Sequence, residues 1–201
     1  WLVFGTWLWA NSEHSWMDAF RIVALNVTSV VTTTGVALGD YTLWGSFSVL
    51  LFFYLTFVGG CSGSTAGGLK IFRFQVAYVL LKANLQQLIH PRAVIKQQYN
   101  GHNLDEDIVR SLITFSFFFT ITIGLIALGL ALIGLDWVTA LTGAATAVCN
   151  VGPGLGPIIG PVGNFSTLPD AAKWLLTIGM LLGRLEILTV LVLLTKAFWK
   201  H

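Results

Sequence analysis

Residues 112–135 read LITFSFFFTITIGLIALGLALIGL, a run without a single charge. Residues 136–148, DWVTALTGAATAV, follow and lead directly into CNVGPGLGP at 149–157. About 20 apolar residues carry a helix across the hydrocarbon core of a bilayer. The first run meets that length; the second reaches little more than half of it before glycine and proline end it. A spanning helix, a half-length helix and a glycine loop in succession describe a chain that enters a membrane and turns back.

Composition agrees. Hydrophobic residues make up 55% of the 201-residue chain and charged residues 10%, against about 25% charged in an ordinary soluble domain. Mean hydropathy is +0.78. The formal net charge is +2, and the basic residues cluster at expected membrane edges, so no nucleic-acid surface is expected. Cys61 and Cys149 have neither zinc-site spacing nor the number for a disulfide framework, which leaves the redox compartment open.

The same order of elements recurs upstream. Trp1 to Ala10 is about half a span, so the first helix is expected to begin before Trp1 and the chain to be a C-terminal fragment. Trp16 to Val31 is apolar but short, interrupted by Arg21, Asn26 and Thr28, and leads into TTTGVALGDY. An apolar run from Tyr41 to Val58, the segment GGCSGSTAGG at 59–68, and a second apolar stretch from Leu69 to Ile89 read as one helix broken in its middle. Residues 1–89 thus form one helix, half-helix, glycine-loop, helix repeat and 108–201 a second, whose last helix is expected from about Ala171 to Phe198. Gly35 aligns with Gly152 and Gly39 with Gly156, both pairs 117 positions apart.

Residues 90–107 form a polar loop. Lys70, Arg73, Lys82, Arg92, Lys96 and Arg110 lie in or around it, and Lys196 and Lys200 at the C-terminus, whereas the glycine-loop sides carry Asp18, Asp40 and Asp170. The excess of basic residues predicts that 90–107 is cytoplasmic and that both glycine loops enter from outside, with Lys173 as a mild exception.

Non-helical backbone at membrane depth must be buried in protein or line a water-filled path. Thr32, Thr33, Thr34, Gly35 and Cys149, Asn150, Val151, Gly152 sit where the half-helices end, so their carbonyls are expected to face a common axis. Such carbonyl rings replace the hydration shell of potassium and need no charged side chain. In GGCSGSTAGG half of the residues are glycine. At about 1 kcal/mol per glycine relative to alanine, an unwound intramembrane loop is expected rather than continuous helix. Glycine-lined helix contact is the competing explanation. Arg184 and Glu186 fall deep in the last helix, where a charge must face protein or water. No paired acid and base, metal cluster or nucleophile arrangement is found, so no enzyme is expected. NVT at Asn26 and NFS at Asn164 match a glycosylation pattern to which no role is given.

The stretches NVTSVVTTTGVALGDY, GGCSGSTAGGLKIFR and AVCNVGPGLGP resemble the Trk/Ktr/HKT superfamily of potassium transporters over essentially the whole chain. The resemblance implies an all-α integral membrane fold of four helix, pore-loop, helix repeats, of which these would be the third and fourth. It makes Gly35 and Gly152 the essential filter glycines, within filter strands Thr33, Thr34, Gly35 and Cys149, Asn150, Val151, Gly152. Potassium would be held by the carbonyls of Thr33, Thr34, Asn150 and Val151. The gate would comprise Gly59, Gly60, Gly63, Gly67, Gly68 and Arg184. It further implies multi-pass residence in a bacterial inner membrane, a missing N-terminal half, a homodimer and a TrkA-like cytoplasmic nucleotide-binding regulator. No cofactor is implied, potassium being the cargo, and any symported ion stays open. A carrier of another solute built on broken-helix repeats, or a non-transporting scaffold subunit, are the alternatives.

Overall fold

The computed structural model describes residues 1–12, 15–61, 63–92, 98–185, 190, 192–193 and 198–200, without the side chains of His102 and Lys200. Lys96, Glu186, Lys196 and most of the expected last helix beyond Leu185 lie outside the described residues.

The chain is mostly helical. In the first repeat α1 (Leu2–Asn11) packs on α2 (Trp16–Val31), and α2 on α3 (Ser46–Phe57). In the second, α5 (Glu106–Leu132), α6 (Trp137–Cys149) and α7 (Asp170–Arg184) pack on one another, and a contact of α3 with α6 joins the two repeats. Among the described residues α5 is the one helix long and apolar enough to cross a membrane. It buries Phe115, Phe119, Ile123, Ile126 and Leu130 and exposes Ile113, Phe117, Ile121, Leu125, Leu128 and Leu132. Both faces are apolar, as a helix between protein and lipid requires. The half-helix α6 is enclosed: from Thr139 to Cys149 every residue but Leu141 is buried. Its Ala, Gly and Thr side chains let α5 and α7 approach closely. Asp136 caps it by accepting from the Thr139 N–H at 3.1 Å.

The segment expected as one broken helix is two helices. A 3₁₀ turn at Tyr41–Trp44 precedes α3, and α3 is followed by β1 (Val58–Gly59), the glycine segment, β2 (Leu69–Lys70) and α4 (Ile71–Ile89). The strands pair in parallel, Val58 with Leu69 and Gly59 with Lys70, and staple the mouth of the interruption. Inside it the Ser64 hydroxyl accepts from the Ala66 N–H at 2.9 Å.

Residues 90–107 are not a plain loop. β3 (Gln98–Tyr99) and β4 (His102–Asn103) form a hairpin around Asn100 and Gly101, both at positive φ (49° and 82°). That is a type I′ turn, and Asn-Gly is its strongest short-range signal. Tyr99 turns the hairpin back onto α4, donating to Gln75 Oε1 at 2.6 Å and meeting Phe72 edge-on. Helix α5 begins at Glu106, two residues before the expected boundary, because Glu106 and Asp107 suit the positive end of the helix dipole.

Candidate functional site

Each half-helix ends the same way. In α2 the Thr34 N–H donates to the Ser29 carbonyl at 2.8 Å and the Thr33 N–H to the Val30 carbonyl at 3.1 Å. In α6 the Val151 N–H donates to the Thr146 carbonyl and the Asn150 N–H to the Ala147 carbonyl, both at 3.1 Å. This is the Schellman closure, with a left-handed residue just past the helix. Here that residue is Thr33 (φ 55°) in one repeat and Asn150 (φ 56°) in the other. The positions are again 117 apart, as are Gly35 (φ 79°) with Gly152 (φ 115°) and Gly39 (φ 73°) with Gly156 (φ 93°). The internal repeat is therefore one of backbone conformation, kept by glycine at two of these pairs and by different letters, Thr33 and Asn150, at the third.

Past these closures the chain runs back without regular structure, and the two loops meet. A Cβ added to Gly152 would lie 3.5 Å from the Gly35 Cα. Among the described residues the carbonyls of Thr33, Thr34, Asn150 and Val151 accept no hydrogen bond. These oxygens stand at the negative ends of two half-helices, where dipoles favour a cation. No group of three or more His, Cys, Asp or Glu side chains lies together among the described residues.

The glycine segment lies against the base of both loops. The Gly67 N–H points at Thr33 Oγ1, 3.4 Å away, and a Cβ on Gly67 would overlap the Cys149 carbonyl. Gly59 is pressed against the Gly67 carbonyl in the same manner. Of Gly59, Gly60, Gly63, Gly67 and Gly68, Gly68 alone has positive φ (73°). Close backbone approach therefore explains Gly59 and Gly67, but it is made by unwound chain: the described residues between Phe57 and Ile71 form no helix, so a glycine-lined helix contact is not what holds them.

Helix α7 closes this place from the other side. A Cβ on Gly183 would overlap the Val148 carbonyl, and Asn150 Nδ2 donates to the Met180 carbonyl at 3.1 Å. The next residue, Arg184, is exposed in this chain. It lines a cavity of about 230 Å³ with Ser64, Thr65, Gly67, Gly68 and Arg73. The structure thus brings Arg184 and the glycine segment together, while Gly63 has nothing within 4 Å of a built Cβ.

Three residues behind the loops carry no expectation from the sequence. Asn26, fully buried in α2, donates to the Leu38 carbonyl at 3.1 Å and accepts the Leu38 N–H at 2.8 Å. In α6 the Thr142 hydroxyl accepts the Leu155 N–H at 3.1 Å, and Leu155 is 117 positions after Leu38. Thr146 Oγ1 accepts the Gly152 N–H at 3.0 Å. Asn26 had matched a glycosylation pattern; burial and two hydrogen bonds explain it instead. The usable signal was a polar residue in the middle of each apolar half-helix.

Comparison with known proteins agrees with this fold. The Trk system potassium uptake protein TrkI of Halomonas elongata is 65% identical over 179 residues, covering 89% of this chain and 36% of that protein. The TrkH protein of Vibrio parahaemolyticus is 36% identical over 190 residues, covering 94% of this chain and 39% of that protein. The crystal structure of the potassium transporter TrkH from Vibrio parahaemolyticus matches with a TM-score of 0.90 at 34% identity, covering 99% of this chain and 42% of that one. The chain thus spans well under half the length of these relatives, and its fold is that of an all-α membrane protein. The family model for TrkH, described as a cation transport protein, matches residues 12–200, and the chain belongs to that family.

Proposed function

We propose that this chain supplies two walls of a potassium uptake pathway, with Thr33, Thr34, Gly35 and Cys149, Asn150, Val151, Gly152 as two filter strands. The carbonyls of Thr33, Thr34, Asn150 and Val151 would replace water around the ion. Gly59 to Gly68 with Arg184 forms the gate beneath them. Residues 1–89 and 108–201 serve as the third and fourth of four repeats, the 90–107 segment facing the cytoplasm of a bacterial cell and the glycine loops facing out. A separate or preceding N-terminal half completes the pore. A second copy and a TrkA-like nucleotide-binding regulator complete the assembly.

The observation that carries this reading is the meeting of Gly35 and Gly152 at the ends of two equivalent half-helices. Two turns with the same Schellman closure and unpaired carbonyls have no need to touch unless they line one path. The test is potassium and sodium uptake into liposomes by the full-length protein, wild type against Gly152→Ser. Selective potassium uptake by the wild type and sodium entry through the variant support the filter. If neither protein carries potassium, a carrier of another solute or a scaffold takes its place.

A further inference from the structure

Asn26 is a fully buried amide in the middle of α2, and both of its hydrogen bonds go to one residue, Leu38, three positions beyond Gly35. Residues 34–38 are therefore strung between two fixed points: the Schellman bond at Thr34 and the Asn26 amide at Leu38. In the second loop the same work is divided. Thr146 holds Gly152, and Thr142 holds Leu155. One hydroxyl proton cannot serve two acceptors, and Thr142 Oγ1 lies 2.7 Å from the Val138 carbonyl and 3.3 Å from that of Leu155. The shorter bond takes the proton, leaving Thr142 as an acceptor toward the loop. Ser29 stands 117 positions before Thr146, yet its buried hydroxyl has no partner among the described residues. Among the described residues Asn26 is thus the one side chain within α2 that hydrogen-bonds the strand from Thr34 to Leu38, the Thr32 hydroxyl at the helix end reaching no more of that strand than the Thr34 hydroxyl.

We infer that Asn26 is a positioning residue for ion selectivity, acting through the Leu38 backbone to set the carbonyl of Thr34, the first in the strand it holds. Thr142 and Thr146 share the equivalent task for the Val151 carbonyl, whose peptide carries the Gly152 N–H that Thr146 holds. The inference rests on the filter reading above. Selectivity by backbone oxygens depends on their number and placement, and a strand freed at one end no longer presents its oxygens at one distance.

The test is the potassium-to-sodium uptake ratio of the full-length protein in liposomes. The variants are Asn26→Leu, which keeps the shape and removes both bonds, Thr142→Val, and Ser29→Ala as a buried control on the same helix. Asn26→Leu is expected to lower the ratio about tenfold, the equivalent of one lost hydrogen bond. Thr142→Val should lower it less, and Ser29→Ala should leave it at the wild-type value. An unchanged ratio in correctly inserted, monodisperse Asn26→Leu overturns the inference, as does an equal loss in Ser29→Ala. If Asn26→Leu does not fold, an unchanged ratio in Thr142→Val overturns it. Loss of selectivity in Gly152→Ser with Asn26→Leu unaffected would sink this inference and spare the filter. A wild type that carries no potassium removes both.

Discussion

A Cβ built on Gly35 would sit 2.5 Å from the carbonyl oxygen of Val151. The reverse contact is loose: the atoms nearest a Cβ on Gly152 begin at 3.5 Å. The two glycines are therefore unequal, although both have positive φ. Gly35→Ala must displace a proposed ion-facing oxygen of the other loop, whereas Gly152→Ala meets only the left-handed backbone penalty. Gly35→Ala is expected to cost about 1–3 kcal/mol more in stability than Gly152→Ala, the usual range for overpacking. Thermal unfolding of the two full-length variants in detergent measures the difference, and equal melting temperatures would contradict the contact.

Thr146 and Ser29 occupy equivalent positions with opposite satisfaction. Removing the Thr146 hydroxyl strands the Gly152 N–H, so Thr146→Val should destabilise by about 1–3 kcal/mol. Ser29→Ala removes a hydroxyl that has no partner among the described residues and should be neutral or slightly stabilising. Melting temperatures of both variants, compared with wild type, decide the pair.

Thr33 and Asn150 share a left-handed conformation that suits only one of them. A left-handed β-branched residue costs about 1–2 kcal/mol, and glycine returns about 0.4–1 kcal/mol of that through the unfolded chain. Thr33→Gly gives up only the long 3.4 Å contact of its hydroxyl with the Gly67 N–H and should raise stability modestly, by about 0.5 kcal/mol. Asn150→Gly gives up the bond to the Met180 carbonyl and should not. A calorimetric comparison in which Asn150→Gly is the more stable variant would refute this.

Gly67 is wedged against the Cys149 carbonyl, and Gly63 is surrounded by open space. In the proposed gate, Gly67→Ala burdens the conformation seen here and so favours its displacement. A burden of about 1–2 kcal/mol corresponds to roughly a 5- to 30-fold shift in population. Potassium flux through the full-length Gly67→Ala protein should rise, more than through Gly63→Ala, and Arg184→Ala should raise it as well. A fall in flux in well-folded Gly67→Ala would count against the glycine segment as a gate.

The elements governed by hydrophobic length were readable from sequence. The charge-free run from Leu112 became the core of α5, and Trp16–Val31 became α2 with those bounds, since a turn of threonine and glycine follows an apolar half-length run. The clamps were not readable. A lone Asn26 inside an apolar segment looks like an interruption until Leu38 folds back on it. The equivalence of Thr33 with Asn150 was hidden for a related reason: the shared property is a dihedral angle, and a threonine does not advertise positive φ. The Asn100-Gly101 hairpin carries a local turn signal but sits in a polar stretch, where six residues forming one tight turn leave no hydrophobic pattern to mark them.

The loops ending α2 and α6 share a backbone course while differing in side chains. In a pore built from identical subunits a substitution is copied at every position around the axis, so any alteration of the ion's surroundings keeps the symmetry. Here a change at residue 33 leaves residue 150 untouched, and in the proposed pore the surroundings of an ion could be tuned one wall at a time, by mutation in the laboratory or by descent.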